Sequence, residues 1–300
     1  MTNERNKTRK KIGLISSALL VFAAFLASLP GAGQNIRPAA DLPSLLKKTA
    51  EYCRKLESSV LDFVCREEIN EMIDPALDAP PRPTIITWTT LEQRAFATAP
   101  LPKIKNSYVY DYQCIRSGGA ISEIRTLLQE NRKKKNEPNA KLKTSIFVYG
   151  TVLLGPVGIL AERFQGDYDY TISGEDTVNK KPVVIIDARP VPGAPVTTNL
   201  YGKAWVDPAN ADILKIEWNE SRVGHNENFE KRAASYNRKP RITIRSEFQA
   251  EKNGIRFPSK LIIEEAYLNS RGRAFVRSET TITYRDFKFF TVEVDVKSNR

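Results

Sequence analysis

The sequence predicts a mainly β protein with one large antiparallel sheet and two helices. Apolar and polar residues alternate in many short segments separated by turn signals, which is typical of strands with one buried face. Residues 42–56 instead repeat apolar side chains at three- and four-residue steps, so they predict an amphipathic helix. The apolar stretch 144–165 follows neither period, and Gly155-Pro156 within it predicts a second helix that begins near the proline.

The alternating segments cover most of the chain. They are residues 60–73, 84–97, 107–116, 120–128, 168–173, 182–189, 200–206, 214–219, 241–251, 255–269 and 273–287. Asn253 and Gly254 connect two of them and give a strong hairpin signal, because both residues tolerate positive φ. About eleven strands with such short connections form a mostly antiparallel sheet that is large enough to curl.

One expected hairpin, residues 200–219, turns at Asp207 and Pro208. Proline fixes φ and has no N–H for a strand ladder, and aspartate bonds nearby backbone, so we interpret Asp207 as a turn residue and not as an exposed catalytic acid. The two arms place six side chains on the face that we expect to point into the curled sheet. They are Leu200, Ala204, Val206, Leu214, Ile216 and Trp218.

The N-terminus has the order of a secretory signal peptide. Basic residues precede an uncharged run at 12–29, and the small residues 31–33 follow it. We therefore expect cleavage of residues 1–33 and a single exported domain, 34–300, in the periplasm or elsewhere outside the cytoplasm. Because the run is just long enough to cross a bilayer, an inner-membrane anchor at 12–29 is the alternative.

The charge balance is basic, with 46 Lys and Arg against 35 Asp and Glu. The densest basic block, 130–143, has no interleaved aromatic residues to stack on bases, and an exported protein rarely meets nucleic acid, so we expect no nucleic-acid partner. The block predicts a solvated loop or a contact between membrane headgroups and Lys133, Lys134 and Lys135.

Three cysteines in an exported chain favour one disulfide. Cys53 and Cys65 are 12 positions apart, too far to bridge along a single helix, so they pair only if the chain turns back near residues 57–59. We favour this pair. Cys65 with Cys114, across neighbouring strands, is the alternative.

Residues for catalysis are scarce. His225 is the single histidine and lies in a polar stretch, no G-x-S-x-G element occurs, and the scattered cysteines do not suit a zinc site. Adjacent carboxylates such as Glu264 and Glu265 face opposite sides of a strand and cannot act as a pair. We therefore expect no enzyme activity, no cofactor and no metal ion.

Three longer motifs resemble a known superfamily. YDYTISGEDTVNKKPVVIIDARP (168–190), LYGKAWVDPANADILKIEW (200–218) and EKNGIRFPSKLIIEEAY (251–267) resemble strand and turn elements of the outer-membrane lipoprotein-sorting superfamily. This superfamily contains periplasmic lipoprotein carriers of the LolA and LolB type and sensor domains of the RseB/MucB type. The resemblance covers most of residues 41–297.

The resemblance implies an incomplete antiparallel β-barrel wrapped around the N-terminal and mid-chain helices, with an apolar interior that accepts acyl chains. The chain is longer than the small carriers, with expected extra loops at 74–83, 130–143 and 222–240. The implied function is a non-enzymatic carrier or sensor that binds lipid acyl chains or a lipoprotein. The alternative is a structural or protein-interaction module of the envelope with a filled barrel.

The candidate ligand-lining residues are aromatic or aliphatic side chains on the expected inner face and in the mid-chain helix, which either fill a core or line a cavity. They are Trp88, Tyr108, Tyr110, Tyr112, Leu153, Leu154, Ile159, Leu160, Val206, Leu214, Ile216, Trp218 and Tyr284.

Overall fold

The structure is a computed structural model. It describes residues 41–78, 101–117, 120–144, 155–195, 200–220 and 227–290, all within one compact unit, Ala40–Arg300. The expected signal peptide or anchor and the predicted strand at 84–97 lie outside the described residues. In the part of the chain that is described, no helix is both long and apolar enough to span a bilayer.

The helices are α1 (Leu42–Ser59), α2 (Glu162–Gln165) and α3 (Glu227–Tyr236). Asp41 caps α1, because its carboxylate accepts a hydrogen bond from the Ser44 N–H at 3.2 Å. A 3-10 helix, Gly155–Leu160, leads into α2, so a helical segment begins near Pro156, as predicted.

The strands agree closely with the alternating segments. They are β1 (Phe63–Ile73), β2 (Ile104–Ser117), β3 (Ala120–Glu130), β4 (Lys133–Glu137), β5 (Tyr168–Val178), β6 (Lys181–Pro190), β7 (Leu200–Val206), β8 (Ile213–Glu220), β9 (Lys239–Glu247), β10 (Ala250–Lys252), β11 (Ile255–Phe257), β12 (Lys260–Leu268) and β13 (Ala274–Phe289). β10 and β11 form a separate hairpin at Asn253-Gly254, where φ is 53° and 72°, as predicted.

The remaining strands form one eleven-stranded antiparallel sheet in the order β4-β3-β2-β1-β13-β12-β9-β8-β7-β6-β5. The last strand of the chain, β13, pairs with β1 on one side and β12 on the other, so it joins the N-terminal strands to the later ones. Among the described residues, the end strands β4 and β5 each pair on one side only. The sheet is therefore an incomplete barrel, as the sequence predicts.

One face of the sheet carries the main core. Residues Leu45, Tyr52 and Leu56 of α1 are buried in the same cluster as alternate residues of the strands. We call this side the inner face and the opposite side the outer face.

Two of the expected loops contain regular structure. The stretch 130–143 includes β4, because Asn131 and Arg132 adopt positive φ (48° and 66°) and return the chain as a tight hairpin. The stretch 222–240 includes α3. In the expected loop at 74–83, the described part holds a short 3-10 helix, Pro75–Leu77.

The prediction of a disulfide between Cys53 and Cys65 is wrong in this structure: the chain's three cysteines are all buried thiols that no disulfide joins. The helix α1 continues to Ser59, so the chain does not turn back near residues 57–59 as that pairing requires. Nor is Cys65 directly opposite Cys114, since its partner on β2 is Tyr112.

Candidate functional site

The inner face holds most of the candidate lining residues. Those that the structure describes there are each 8% exposed or less: Tyr108, Tyr110, Tyr112, Ile159, Leu160, Val206, Ile216, Trp218 and Tyr284. Trp88, Leu153 and Leu154 lie outside the described residues, as does His225. Nine of the thirteen candidates thus share one buried cluster.

Leu214 is an exception, because it packs on the outer face with Val183 and Trp205. The cause is a β-bulge. Trp205 pairs with Lys215 and Val206 pairs with Ile213, so Leu214 has no partner on β7 and the alternation shifts by one residue. Ile213, fully buried in the main core, takes the inner position that we predicted for Leu214.

Asp207 belongs to the turn between β7 and β8, as predicted. Its carboxylate accepts a hydrogen bond from the Ala209 N–H at 3.0 Å, and its carbonyl accepts one from the Ala211 N–H at 2.8 Å. Ala211 has a φ of 61°. The aspartate is thus used to shape the corner of the hairpin.

The inner face divides into two parts of different chemistry. The part formed by β6 to β9, which we call the aliphatic half, presents aliphatic side chains around Trp218. Its inner residues include Ile186, Ala188, Ala204, Ile216, Trp218 and Ile244. Gly202 lies opposite Trp218, and a Cβ at this glycine would be 2.3 Å from the Glu217 carbonyl oxygen, so only glycine fits.

The part formed by β1, β2, β3 and β13, which we call the tyrosine half, contains a buried ion-pair network. Arg125 donates from Nε to Glu67 at 2.6 Å and from Nη2 to Glu123 at 2.7 Å. Tyr284 donates to Glu67 at 3.2 Å, and Tyr112 donates to Glu123 at 3.0 Å. One guanidinium and two phenols thus satisfy two carboxylates inside the core.

Burial dominates the electrostatics of this half. It raises the pKa of Glu67 above 4.5, although the hydrogen bonds and charge of Arg125 oppose that shift. It also raises the pKa of the Tyr112 and Tyr284 hydroxyls well above 10.0.

The thiols are similarly affected. Burial raises the pKa of Cys53 to about 12 and the pKa of Cys114 to about 11. These groups are therefore protonated near neutral pH and are poor nucleophiles.

Another buried carboxylate, Glu265 on β12, attaches α3 to the sheet. Arg232 of α3 donates to it at 2.9 Å, and Ser278 donates at 2.9 Å. Arg277 connects the same cluster to Asp78, with Nη2 at 2.7 Å from the carboxylate. This cluster positions α3 over β12 and β13.

Neither cluster was predicted from the sequence. Glu67 and Glu265 each occupy an inward position of their strand, so the alternation of each strand could have indicated that these carboxylates are buried. The sequence shows adjacent carboxylates only as residues that cannot act as a pair, whereas in the structure Glu67 and Glu265 are at most 2% exposed.

No set of three or more His, Cys, Asp or Glu side chains in the described ranges is arranged to hold a metal ion. Both carboxylate partners of Arg125, Glu67 and Glu123, lie within the core, so Arg125 bonds β3 to β1. What the inner face offers to a ligand is apolar and aromatic area.

No family model matches the sequence, and no curated protein matches it. Solved structures do match. A LolA superfamily protein from Nitrosomonas europaea is 13% identical, with a TM-score of 0.34, and the match covers 87% of this chain and 99% of that one. An outer membrane lipoprotein-sorting protein domain from Vibrio parahaemolyticus is 10% identical, with a TM-score of 0.37, over 83% of this chain and 95% of that one.

A structure of MucB is 10% identical, with a TM-score of 0.25, over 86% of this chain and 62% of that one. The superfamily that the sequence motifs resemble is thus represented among the matched structures.

Proposed function

We propose that the protein is an exported, non-enzymatic carrier or sensor of the cell envelope whose inner face holds the acyl chains of a lipid or lipoprotein. The observation that carries this proposal is the inner face itself, which is apolar or aromatic on most strands of an open eleven-stranded sheet. Acyl chains gain about 0.8 kcal/mol for each methylene that they bury. Affinity would come from this area, because the charges of Glu67, Glu123 and Arg125 are already bonded to one another.

Ligand entry requires a covering element to leave the inner face, because the described lining residues are buried. On α1, Tyr52 donates to the Arg256 carbonyl at 2.5 Å. The helix is also bonded to the segment 155–165, because Gln165 donates to the Leu46 carbonyl at 3.0 Å and Arg163 donates to Glu57 at 2.7 Å. The segment 155–165 and α1 would therefore move together as a lid.

A filled barrel that acts as a structural or protein-interaction module is the second candidate. The burial of all nine described lining residues in the main core, each 8% exposed or less, favours it. A barrel that is packed by its own side chains offers only its rim and outer face to partners.

Two tryptophans on opposite faces separate these candidates. Trp218 lies on the inner face and Trp205 on the outer face. We expect stearic acid with a nitroxide on its chain to quench the protein's fluorescence, and Trp218→Phe to remove more of that quenching than Trp205→Phe. Trp88 is present in both variants and cancels in the comparison. Quenching that is absent, or lost equally in both variants, would contradict acyl binding at the inner face.

Native mass spectrometry of protein purified from its own envelope is the complementary measurement. Lipid that copurifies and is displaced by added fatty acid supports a carrier. Protein that carries no lipid and takes up none supports the filled module. N-terminal sequencing of the exported form would distinguish a cleaved signal peptide from an anchor at 12–29.

We also propose that Lys133 and Lys134 contact membrane headgroups. Lys135 is committed to the protein, since its Nζ lies 3.4 Å from Glu137 and 3.7 Å from Glu130. Lys133→Gln together with Lys134→Gln should weaken sedimentation with phosphatidylglycerol vesicles more than Lys135→Gln does. An equal effect would contradict the assignment to these two lysines.

A further inference from the structure

A groove lies near one end of the strands and is built largely from outer-face residues. Its volume is about 540 Å³, and it is lined by β13, β1, β2 and the turn between β3 and β4. It therefore differs from the inner face both in place and in composition, since most of its lining residues are polar.

The register of the strands arranges the groove in two rows. In the first row, Met72 of β1 lies between Lys105 of β2 and Glu279 of β13. Neighbouring strands are about 4.8 Å apart, so the backbones of Lys105 and Glu279 are about 10 Å apart. The thioether of Met72 lies between their side chains. In the second row, Asn70 lies between Ser107 and Thr281 and supplies an amide between two hydroxyls.

The charges of the first row have no ion-pair partner among the described residues. On β12, Glu279 is opposite Glu264, whose carboxylate already accepts from Arg241 and Arg245, each at 3.3 Å. A cation from a ligand would thus complement Glu279. At the other side of the groove, Lys105 and Arg132 are both exposed cations that complement an anion.

The surroundings of the groove suit a membrane surface. Three large apolar side chains at this end of the sheet are exposed: Met72 by 38%, Leu101 by 45% and Ile104 by 48%. The exposed cations Lys133 and Lys134 directly follow Arg132. Exposed apolar side chains beside cations are typical of surfaces that lie against lipid headgroups.

We propose that this groove binds the phosphoethanolamine headgroup of a bilayer lipid. The phosphate lies between Lys105 and Arg132, and the ammonium lies at Glu279. Asn70 and the two hydroxyls of the second row bind the remaining oxygens. The proposal does not depend on what the inner face holds, because the headgroup site is built on other residues.

A soluble probe without acyl chains tests the site. We expect glycerophosphoethanolamine to shift the NMR signals of residues in the groove, and glycerophosphoglycerol, which lacks the ammonium, to bind more weakly. Glu279→Gln should weaken the first ligand about tenfold and leave the second nearly unchanged, whereas Lys105→Gln should weaken both. Glu175→Gln and Lys203→Gln are the matched controls on exposed strand positions elsewhere, and they should change neither.

The outcomes are distinct. If the two probes bind equally and Glu279→Gln has no effect, the groove does not recognise an ammonium and the proposal fails. If neither probe binds, the proposal also fails, whatever the fluorescence of Trp218 shows about the inner face. Sedimentation with phosphatidylethanolamine vesicles against phosphatidylcholine vesicles then tests the source. If the protein sediments with phosphatidylethanolamine vesicles and Glu279→Gln abolishes this, the ligand is a bilayer lipid. Equal sedimentation with both kinds of vesicle would overturn the proposal.

Discussion

The two halves of the inner face are parts of one sheet, yet they are stabilised in different ways. The aliphatic half packs hydrocarbon and one indole, and its stability depends on volume. The tyrosine half encloses Glu67, Glu123 and Arg125, and its stability depends on the geometry of a few hydrogen bonds. An apolar cluster can thus hide a polar network, which here bonds four strands, β1, β2, β3 and β13, to one another.

The largest effect should come from Arg125→Met, which leaves two buried carboxylates without their cation. We expect a loss of about 3–5 kcal/mol in the free energy of unfolding, measured by urea denaturation. The control is Arg245→Met on the outer face, which should cost about 1 kcal/mol or less, because Glu264 keeps Arg241. Equal losses in the two variants would show that the network adds nothing special to the tyrosine half.

In the aliphatic half, Ile216→Ala should cost about 2–4 kcal/mol, because the fully buried side chain leaves a cavity. Its neighbour Glu217 points to the outer face of the same strand, and Glu217→Ala should change the free energy of unfolding by about 0.5 kcal/mol or less. A small loss in Ile216→Ala would mean that the half repacks readily, and it would weaken the contrast between the halves.

Tyr284→Phe removes one hydrogen bond to Glu67 and preserves the volume of the ring. We expect a loss of about 1–2 kcal/mol by urea denaturation, because the carboxylate stays buried. Tyr108→Phe is the control from the same half, and no described residue accepts a hydrogen bond from its hydroxyl. Equal losses of unfolding free energy in Tyr284→Phe and Tyr108→Phe would indicate that ring packing alone supports the tyrosine half.

The smallest effect concerns pH. Burial raises the folded-state pKa of Glu67 above 4.5, so its contribution to stability is complete below that pH and is lost as the pH rises through the folded-state pKa. The free energy of unfolding of the wild type relative to Glu67→Gln should therefore decrease from about pH 4.5 upwards.

Urea midpoints at a series of pH values measure this difference. In Tyr284→Phe the decrease should extend to higher pH, because the Tyr284 hydrogen bond lowers the folded-state pKa of Glu67. A difference that is constant with pH would contradict the assignment.

Most of the fold follows from local patterns. The period of two located ten of the eleven sheet strands, and Asn253-Gly254 located a hairpin, because both signals depend on neighbours in sequence. The strand β4 was missed because its lysines give it no apolar face. The helix α3 was missed because its polar sequence resembles a loop, and its contact with Glu265 is visible only in the fold.

The candidate site was predictable only in part. Tyr108, Tyr110 and Tyr112 could be assigned to one face because alternation fixes the face of a regular strand. Leu214 could not be assigned to its face, because the bulge that shifts it is not marked in the sequence by a glycine or another clear signal. The partners of Arg125 could not be predicted either, because Glu67 is 58 positions away in the chain.

The ends of the sheet also bear on self-association. An open sheet exposes backbone donors and acceptors at its end strands, to which a second copy could add. At one end, β4 places three consecutive lysines, so a second β4 would bring like charges together. At the other end, a register shift between Ile172 and Gly174 interrupts the ladder of β5. Both features oppose the edge-to-edge pairing of two copies through the described end strands.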